Sequence, residues 1–221
     1  MKLYSGPLSL FTAKVRIALR EKGVEAEIID VPFGRQGYQP KHPEVEARNP
    51  KAQVPVLVDG DVELWDSTVI LEYLEDLHPE PALYPRDPAE KATCRQLEHY
   101  ADEVLFASIF PLVQEVFYKT DPAARDAVRV AESTATLREC YAELDARLAG
   151  REWFCGDYGV ADITIFLCCM FGATLGVPVE DTTPHLATWI ERMNGRPAVA
   201  AEAAEMMRFA ATLPPQPAAA A

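Results

Sequence analysis

The first 93 residues of this 221-residue chain contain no cysteine. The five cysteines show neither a CxxC pair nor the spacing of metal ligands; they are Cys94, Cys140, Cys155, Cys168 and Cys169. This pattern predicts reduced thiols and no metal centre. We expect Cys168 and Cys169, which are adjacent on a predicted helix, to pack as small apolar residues. A cysteine nucleophile is excluded from the first 93 residues.

Positive charge is also in short supply. Lysine and arginine number 21 against 34 aspartates and glutamates, which gives a formal net charge of −13 at pH 7. Binding of nucleic acid and docking on anionic lipid both need clustered basic residues, so neither is expected, and the acidity favours solubility instead. No apolar run approaches the ~20 residues that cross a bilayer, and the start at Met1 shows no signal-peptide pattern. We therefore expect a cytoplasmic protein.

The first 78 residues alternate between strand and helix patterns. A strand at Lys2–Tyr4 is followed, after the turn Ser5–Pro7, by an amphipathic helix over Leu10–Lys22. A second strand at Ala26–Val31 precedes an irregular, proline-rich segment that can hold one short helix. Two further strands and a helix from Asp66 complete a β-α-β-α-β-β-α order. This order predicts an α/β layer with a parallel part and a closing hairpin.

The rest of the chain has helical patterns only. A proline-dense stretch without periodicity, residues 79–88, predicts a linker. The expected division is a first domain over 1–78, an all-helical domain over 89–211 and a frayed tail over 212–221. Pro111 lies inside the first long helix and predicts a kink. The predicted helices are Ala89–Lys119, Pro122–Leu148, Val160–Leu175, Pro184–Asn194 and Pro197–Ala211.

The segment Asn49–Asp76 carries the strongest functional pattern. Pro55 opens the apolar run Val56–Val58, and a proline there is tolerated only at a strand start or edge. A cis bond between Val54 and Pro55, held by a tight turn, would direct the backbone N–H and C=O of Val54 outward. An extended peptide could then bond to both groups, so this edge suits a peptide ligand.

Asp66 and Ser67 follow this strand region and come directly before a helical pattern. They lie at a helix N-terminus, where free N–H groups and the helix dipole favour a carboxylate. Together, the strand edge and the helix start make a site for a small peptide with a free carboxylate.

These residues resemble, in order and spacing, the signature of the glutathione transferase family. The parts of the signature are Gln53-Val54-Pro55, the turn Asp59-Gly60-Asp61 and the pair Asp66-Ser67. The resemblance runs from Lys2 to about Ala211 and is similar to the serine-type classes, among them zeta, tau and bacterial relatives. It implies a thioredoxin-like N-terminal domain, an all-helical C-terminal domain and a homodimer. Because no cysteine precedes residue 94, an omega-type cysteine nucleophile is absent.

Ser9 lies where the first helix begins, which is a good N-cap position. A hydroxyl and a helix N-terminus directed at a thiol both lower its pKa from the ~8.5 of free cysteine. Ser9 resembles the catalytic serine of serine-type enzymes, which precedes a basic element matched here by Lys14-Val15-Arg16. Two readings stay open: catalysis, which we favour, or capping alone. Thr12 and then Tyr4 are the next hydroxyl candidates, although Tyr4 falls within the first strand.

The resemblance implies glutathione as co-substrate, with no metal. The backbone of Val54, next to Pro55, would pair with the cysteinyl part of glutathione, and Gln53 would add a polar contact. For the glycine carboxylate the candidates are Lys41 and His42, and each is equally compatible with a solvated surface position.

The γ-glutamyl end of glutathione is assigned to the helix start by the same resemblance. Asp66 would face the ammonium group, and the hydroxyl and N–H of Ser67 would bind the carboxylate. Most relatives carry glutamate where this chain has Asp66, so its reach to the ammonium is one methylene shorter.

The electrophile would lie between the two domains. Phe106 and Phe110 are four residues apart on the long helix and so share a face, while Leu10 and Phe11 would line the opposite wall. Each of these side chains is equally compatible with a place in the core. None of them names a substrate class.

Asp162 fits a capping box at the start of a later helix, with Gly159 where relatives carry Ser or Thr. Glycine is a weaker cap by about a few tenths of a kcal/mol. We predict a structural role for Asp162.

The predicted activity is conjugation or substitution of the glutathione thiolate at a soft electrophilic substrate, as in detoxification. One alternative is a glutathione-dependent isomerase, dehalogenase or ether-cleaving enzyme that uses the same thiolate. Another is a non-catalytic, protein-binding module on this fold. Retention of Ser9 and of the Asp66-Ser67 pair favours an enzyme.

Overall fold

The computed structural model describes residues 1–34, 36–119 and 121–213. By their packing, these residues form two units. The first joins Met1–Tyr84 to Arg196–Leu213, and the second spans Pro85–Gly195. Within the described ranges, no helix is long and apolar enough to cross a membrane.

The α-helices of the described residues agree with most of the sequence-based boundaries to within one or two residues. Further along the chain, the predicted segments that start at Ala89 and Pro122 are exceptions. The helices are α1 Leu10–Glu21, α2 Pro43–Arg48, α3 Ser67–Leu77, α4 Pro88–Tyr100, α5 Phe106–Leu112, α6 Ala127–Leu148, α7 Val160–Thr174, α8 Pro184–Asn194 and α9 Pro197–Thr212.

A four-stranded sheet forms the centre of the first unit, with strand order β2-β1-β3-β4. The strands are β1 Lys2–Ser5, β2 Glu27–Asp30, β3 Val56–Asp59 and β4 Val62–Trp65. β1 runs parallel to β2 and antiparallel to β3, and β3 and β4 form an antiparallel hairpin. The predicted β-α-β-α-β-β-α order, with its parallel part and closing hairpin, is confirmed.

Both faces of the sheet carry buried side chains. Tyr4 and Val56 are register partners across β1 and β3, and they form an apolar cluster with Val31 and with Val45 of α2. Successive strand residues point to opposite faces, so the fully buried pair Leu3–Leu57 lies on the other face.

The segment predicted as one helix over Ala89–Lys119 is interrupted twice. α4 passes into a π-helical turn at Ala101–Leu105, and α5 passes into a second one at Val113–Phe117. Pro111 lies inside α5. It has no N–H to donate to the preceding turn, and irregular hydrogen bonding on both sides accompanies that loss.

The prediction that the next helix begins at Pro122 is wrong. Pro122–Ala124 form only a 3₁₀ turn, and α6 begins at Ala127. The reason is Asp126, whose carboxylate accepts the N–H groups of Val128 and Arg129 and so caps the helix. Its own N–H donates to Glu115 at 2.8 Å, which ties the start of α6 to the preceding turn.

Helix α9 packs with the first unit, whereas the sequence-based division placed it in the all-helical domain over 89–211. Arg16 and Arg20 of α1 both form ion pairs with Glu202 and Glu205 of α9. Glu202 is 2% exposed, so these guanidinium groups offset the cost of burying its carboxylate. The predicted tail starts within α9, and residues 214–221 lie outside the described part of the chain.

Asp162 organises the start of α7 in the second unit. Its Oδ1 accepts hydrogen bonds from Phe154 N at 3.2 Å and Trp189 Nε1 at 2.9 Å, and its Oδ2 accepts one from Gly159 N at 3.1 Å. Burial raises the pKa of Asp162 to about 6, although these three donors favour the charged form. The contacts agree with the structural role predicted from the sequence.

Candidate functional site

The residues of the predicted peptide site lie at one end of the sheet in the first unit. β1 and β4 end there and β3 begins there, because β3 is antiparallel to both neighbours. The segment leading to Ser9, the Val54–Pro55 bond and the Asp66-Ser67 pair therefore lie at the same end. Adjacent strands are ~4.8 Å apart, so these three segments cover about 10 Å, the length of an extended tripeptide.

The Val54–Pro55 bond is cis, as the sequence led us to expect. Pro55 is buried, Val54 is half-buried and Gln53 is exposed. Asn49, which the sequence interpretation gave no role, is buried beneath this loop. Its Nδ2 donates to the Gln53 carbonyl at 2.6 Å, and its Oδ1 accepts from Lys51 N at 2.9 Å. Asn49 thus fixes the backbone that leads into Val54.

Asp66 is the N-cap of α3, and its backbone is in a conformation that is rare for a residue with a side chain. Its φ is 78° and its ψ is 123°, a combination that is maintained only where the surrounding structure enforces it and that concentrates at functional sites. Asp66 Oδ1 accepts a hydrogen bond from Thr68 N at 3.0 Å. One carboxylate oxygen thus serves the helix, and the other is the one that a ligand ammonium would use. Ser67 is buried as the first residue of α3.

Ser9 is the N-cap of α1 and is 8% exposed. Its Oγ accepts a hydrogen bond from Thr12 N at 3.3 Å, and its own N–H donates to the Gly6 carbonyl at 3.0 Å. A hydroxyl that accepts one bond can still donate one. Both readings of Ser9, capping and thiol activation, are therefore compatible with this geometry.

The two competing hydroxyls are placed less favourably. Thr12 is fully buried, and its Oγ1 accepts a hydrogen bond from Gly6 N at 3.3 Å. Tyr4 directs its ring into the apolar cluster with Val56, and its Oη donates to Glu44 at 3.4 Å. Packing within the fold therefore accounts for both side chains.

Lys14 is a buried cation next to the start of α3, and the sequence interpretation used it only as a motif marker. The residue is 1% exposed, and its Nζ donates to Thr68 Oγ1 at 3.3 Å. The signal that could have identified it is its position on the buried side of an amphipathic helix. The N-termini of α1 and α3 lie at the same end of the sheet, and helix N-termini favour an anionic ligand there.

The candidates for the glycine carboxylate lie at the start of α2. His42 is the N-cap of α2, and its Nδ1 accepts a hydrogen bond from Glu44 N at 3.3 Å. Lys41, directly before it, is half-buried. Capping uses only Nδ1 of His42, and its Nε2 would be the donor to a carboxylate, so both Lys41 and His42 remain candidates.

The candidates for the electrophile site lie in different units. Leu10 is buried and Phe11 is half-buried in the first turn of α1, in the first unit. Phe106 and Phe110 belong to the second unit, and their ring centroids are 6.0 Å apart. That distance agrees with a shared helix face, and the ring of Phe110 is exposed.

Two regions of the chain match known families. Residues 3–82 match the family described as "Glutathione S-transferase, N-terminal domain". Residues 102–197 match the family described as "Glutathione S-transferase, C-terminal domain". The first region includes every residue proposed above for the peptide site.

Individual relatives extend the similarity over most of the chain. Glutathione S-transferase 4 of Zea mays is 32% identical over 220 residues, which cover 97% of this chain and 96% of the relative. The stringent starvation protein A homolog of Coxiella burnetii is 32% identical over 190 residues, covering 86% and 79% respectively. The theta class glutathione S-transferase of Xanthomonas axonopodis pv. citri, solved with glutathione bound, is similar with a TM-score of 0.79 at 29% identity, covering 91% of this chain and 96% of that one.

Proposed function

Since this chain belongs to the glutathione S-transferase family, we propose that it is a serine-type enzyme that transfers alkyl or aryl groups to glutathione. The observation that carries this proposal is the convergence of Ser9, the Val54 backbone and the start of α3 at one end of the sheet. Glutathione is a tripeptide with two free carboxylates and one ammonium group, and the site offers partners for both kinds of charge.

Glutathione would lie in an extended conformation across this end of the sheet. The Val54 backbone pairs with its cysteinyl residue, as an added strand pairs with a sheet edge. Asp66 receives the ammonium of the γ-glutamyl residue, and Ser67 together with the α3 N-terminus receives its carboxylate. Lys41 is assigned to the glycine carboxylate. The relative that was solved with glutathione bound supports this choice of ligand.

Ser9 activates the thiol in this proposal. Its hydroxyl donates a hydrogen bond to the sulfur, and the N-terminus of α1 adds a favourable field, so that the thiol releases its proton to solvent near neutral pH. The thiolate then forms a carbon–sulfur bond at the electrophile. In a substitution, the leaving group departs with its bonding electron pair; in an addition, the carbanion that forms takes a proton from water.

Two alternatives remain within this framework. An isomerase, dehalogenase or ether-cleaving enzyme would use the same thiolate on a specific metabolite. A non-catalytic binding module is the second alternative, and one similar protein carries the name stringent starvation protein A homolog rather than that of a transferase. Retention of Ser9 and of the Asp66-Ser67 pair favours the enzyme.

Turnover assays with the purified chain separate these possibilities. Glutathione is supplied with an aryl chloride, an α,β-unsaturated aldehyde, a haloalkane and a cis-enone, and both thiol consumption and product are measured. Conjugate formation supports a transferase, and a cis–trans change without net thiol consumption supports an isomerase. Glutathione binding without any turnover contradicts the proposed activity and favours the binding module.

We also propose that the protein is a cytoplasmic homodimer, as the family resemblance implies. Light scattering on the purified chain tests the oligomeric state, and a mass of twice that of one chain is expected. A monomeric mass at micromolar concentration contradicts it.

A further inference from the structure

We propose that Tyr38 is a positioning residue for catalysis: its phenolic oxygen holds the loop Gly6–Leu8 and thereby fixes the place of Ser9. This inference rests on the proposed function, because it assigns Tyr38 an effect that acts through Ser9. Tyr38 lies outside the segments that the sequence pattern singled out, in the irregular stretch before α2.

The loop Gly6–Leu8 connects β1 to Ser9 and is fastened at both ends. Leu8 N donates a hydrogen bond to Tyr38 Oη at 3.2 Å. At the other end, Gly6 N donates to Thr12 Oγ1 at 3.3 Å. Ser9 follows Leu8 directly, so the Leu8–Tyr38 bond attaches a distant part of the chain one residue away from the proposed catalytic serine.

Gly6 and Tyr38 are matched in shape. A Cβ atom on Gly6 would lie 2.8 Å from the Cε1, Cζ and Oη atoms of Tyr38. Carbon atoms that are not bonded come no closer than ~3.5 Å without repulsion, so the ring occupies this place only because residue 6 has no side chain. The far end of the ring thus lies against the loop backbone as well as bonding to it.

The ring of Tyr38 is braced on its other side by aromatic contacts. The Phe33 and Tyr38 ring centroids are 4.7 Å apart, and those of Phe33 and Phe209 are 6.1 Å apart with an edge-on arrangement. Such pairs add to the stabilisation from burial. Phe209 belongs to α9, which ion pairs attach to α1. The hydroxyl of Tyr38 is therefore held in place by packed aromatic side chains rather than by a loop alone.

Catalysis is affected because the strength of a hydrogen bond falls steeply with distance and angle. A donor that moves by about 1 Å, or that turns away from its acceptor, loses most of its interaction, and misplacement of that size can cost about 10²-fold in rate. Without the Tyr38 hydroxyl, the loop before Ser9 loses one of its fixed points. We expect the thiol of bound glutathione to be less acidic, while the residues that bind glutathione are unchanged.

The test uses Tyr38→Phe, which removes the hydroxyl and keeps the ring. Tyr73→Phe is the matched control, because it removes another phenolic hydrogen bond of the first unit, that from Tyr73 Oη to Asp59 at 2.9 Å. Three quantities are measured: hydrogen exchange at the Leu8 amide, the pKa of the bound thiol and the steady-state constants. For Tyr38→Phe we expect faster Leu8 exchange, a higher thiol pKa and a kcat lowered about 10-fold with a nearly unchanged KM for glutathione.

The outcomes separate this inference from the proposed function. If Ser9→Ala raises the thiol pKa and Tyr38→Phe changes neither that pKa nor the Leu8 exchange, the positioning role is wrong and the proposed function stands. If the wild-type protein leaves the glutathione thiol at its free pKa, both fail. Gly6→Ala tests the same contact from the loop side, since its methyl group displaces the ring, and a folded Gly6→Ala protein with an unchanged thiol pKa also overturns the inference.

Discussion

The Oγ of Ser9 accepts a hydrogen bond from the N–H of Thr12 at 3.3 Å, so the atom that caps α1 is also the one proposed to face the glutathione sulfur. Capping uses this oxygen as an acceptor, and thiol activation uses the same hydroxyl as a donor. Hydrogen bonds in a chain polarise one another, so the helix N–H strengthens the serine as a donor. The two roles therefore reinforce each other.

Replacement of Ser9 separates the structural cost from the catalytic one. Ser9→Ala should lower the free energy of unfolding by about 1 kcal/mol through loss of the cap and turnover by about 10- to 1000-fold through loss of the sulfur's donor. Asp87→Ala is the control, because Asp87 caps α4 through the N–H groups of Ala89 and Glu90. It should match the stability loss and leave turnover unchanged. Equal turnover in both variants would remove Ser9 from the mechanism.

Asp66→Asn should weaken glutathione binding and leave the fold intact. The amide oxygen can still accept a hydrogen bond from Thr68 N and so cap α3, but the negative charge for the ligand ammonium is lost. A charge-assisted hydrogen bond contributes about 1.5–3 kcal/mol, so the dissociation constant measured by calorimetry should rise by about 10- to 100-fold. Asp61→Asn makes the same charge change on an exposed turn of the same unit, and its affinity should equal that of the wild type. A wild-type affinity in Asp66→Asn contradicts the assignment.

Ala52 is a site where glycine should stabilise the protein. Its φ is 49°, in the left-handed region that costs a residue with a Cβ about 1–2 kcal/mol, whereas glycine pays only a smaller entropic cost. We expect Ala52→Gly to raise the free energy of unfolding in denaturant by about 0.5–1 kcal/mol. Ala47→Gly, in the exposed face of α2, should lower it by about the same amount. The same sign for both variants would contradict this account of the loop.

Stability should depend on pH through Asp162. Its pKa is about 6 in the folded protein and ~3.9 when unfolded, so its stabilising share is complete below the unfolded value and is lost as the pH rises through 6. Asp162→Asn loses an acceptor for a buried N–H, so its free energy of unfolding should be lower than that of the wild type. This difference should be about 1 kcal/mol larger at pH 5 than at pH 7.5. Asp157→Asn, an exposed neighbour, should show a constant difference. If the difference between Asp162→Asn and the wild type grows as the pH rises, the account of Asp162 is wrong.

The parts of the site that the sequence could predict are those set by local chemistry. Three features set the local backbone: a serine before an amphipathic helix, an Asp-Ser pair before another helix and a proline at a strand start. All three lie where they were expected. The order of elements, with its parallel part and closing hairpin, followed from the alternation of strand and helix patterns.

The features that could not be predicted depend on contacts between distant segments. Tyr38 reaches Leu8 across 30 residues, and Lys14 reaches Thr68 across 54; neither pairing leaves a mark in the local pattern. The packing of helix α9 with the first unit could not be predicted for the same reason, because its ion pairs with α1 join residues that are more than 180 positions apart. The predicted start of α6 at Pro122 was wrong because the side chain of Asp126 caps the helix, which therefore begins at Ala127.

The central claim, that this chain binds glutathione and ionises its thiol, is tested most directly by a thiolate absorbance titration of the complex. The wild-type protein is saturated with glutathione, with saturation established by calorimetry, and ultraviolet absorbance is followed from pH 5 to pH 10. We predict a thiolate that appears at least about one pH unit below the ~8.5 of a free cysteine thiol, and whose midpoint moves back toward that value in Ser9→Ala. Absence of binding, or a bound thiol that titrates as it does in free glutathione, would contradict the account.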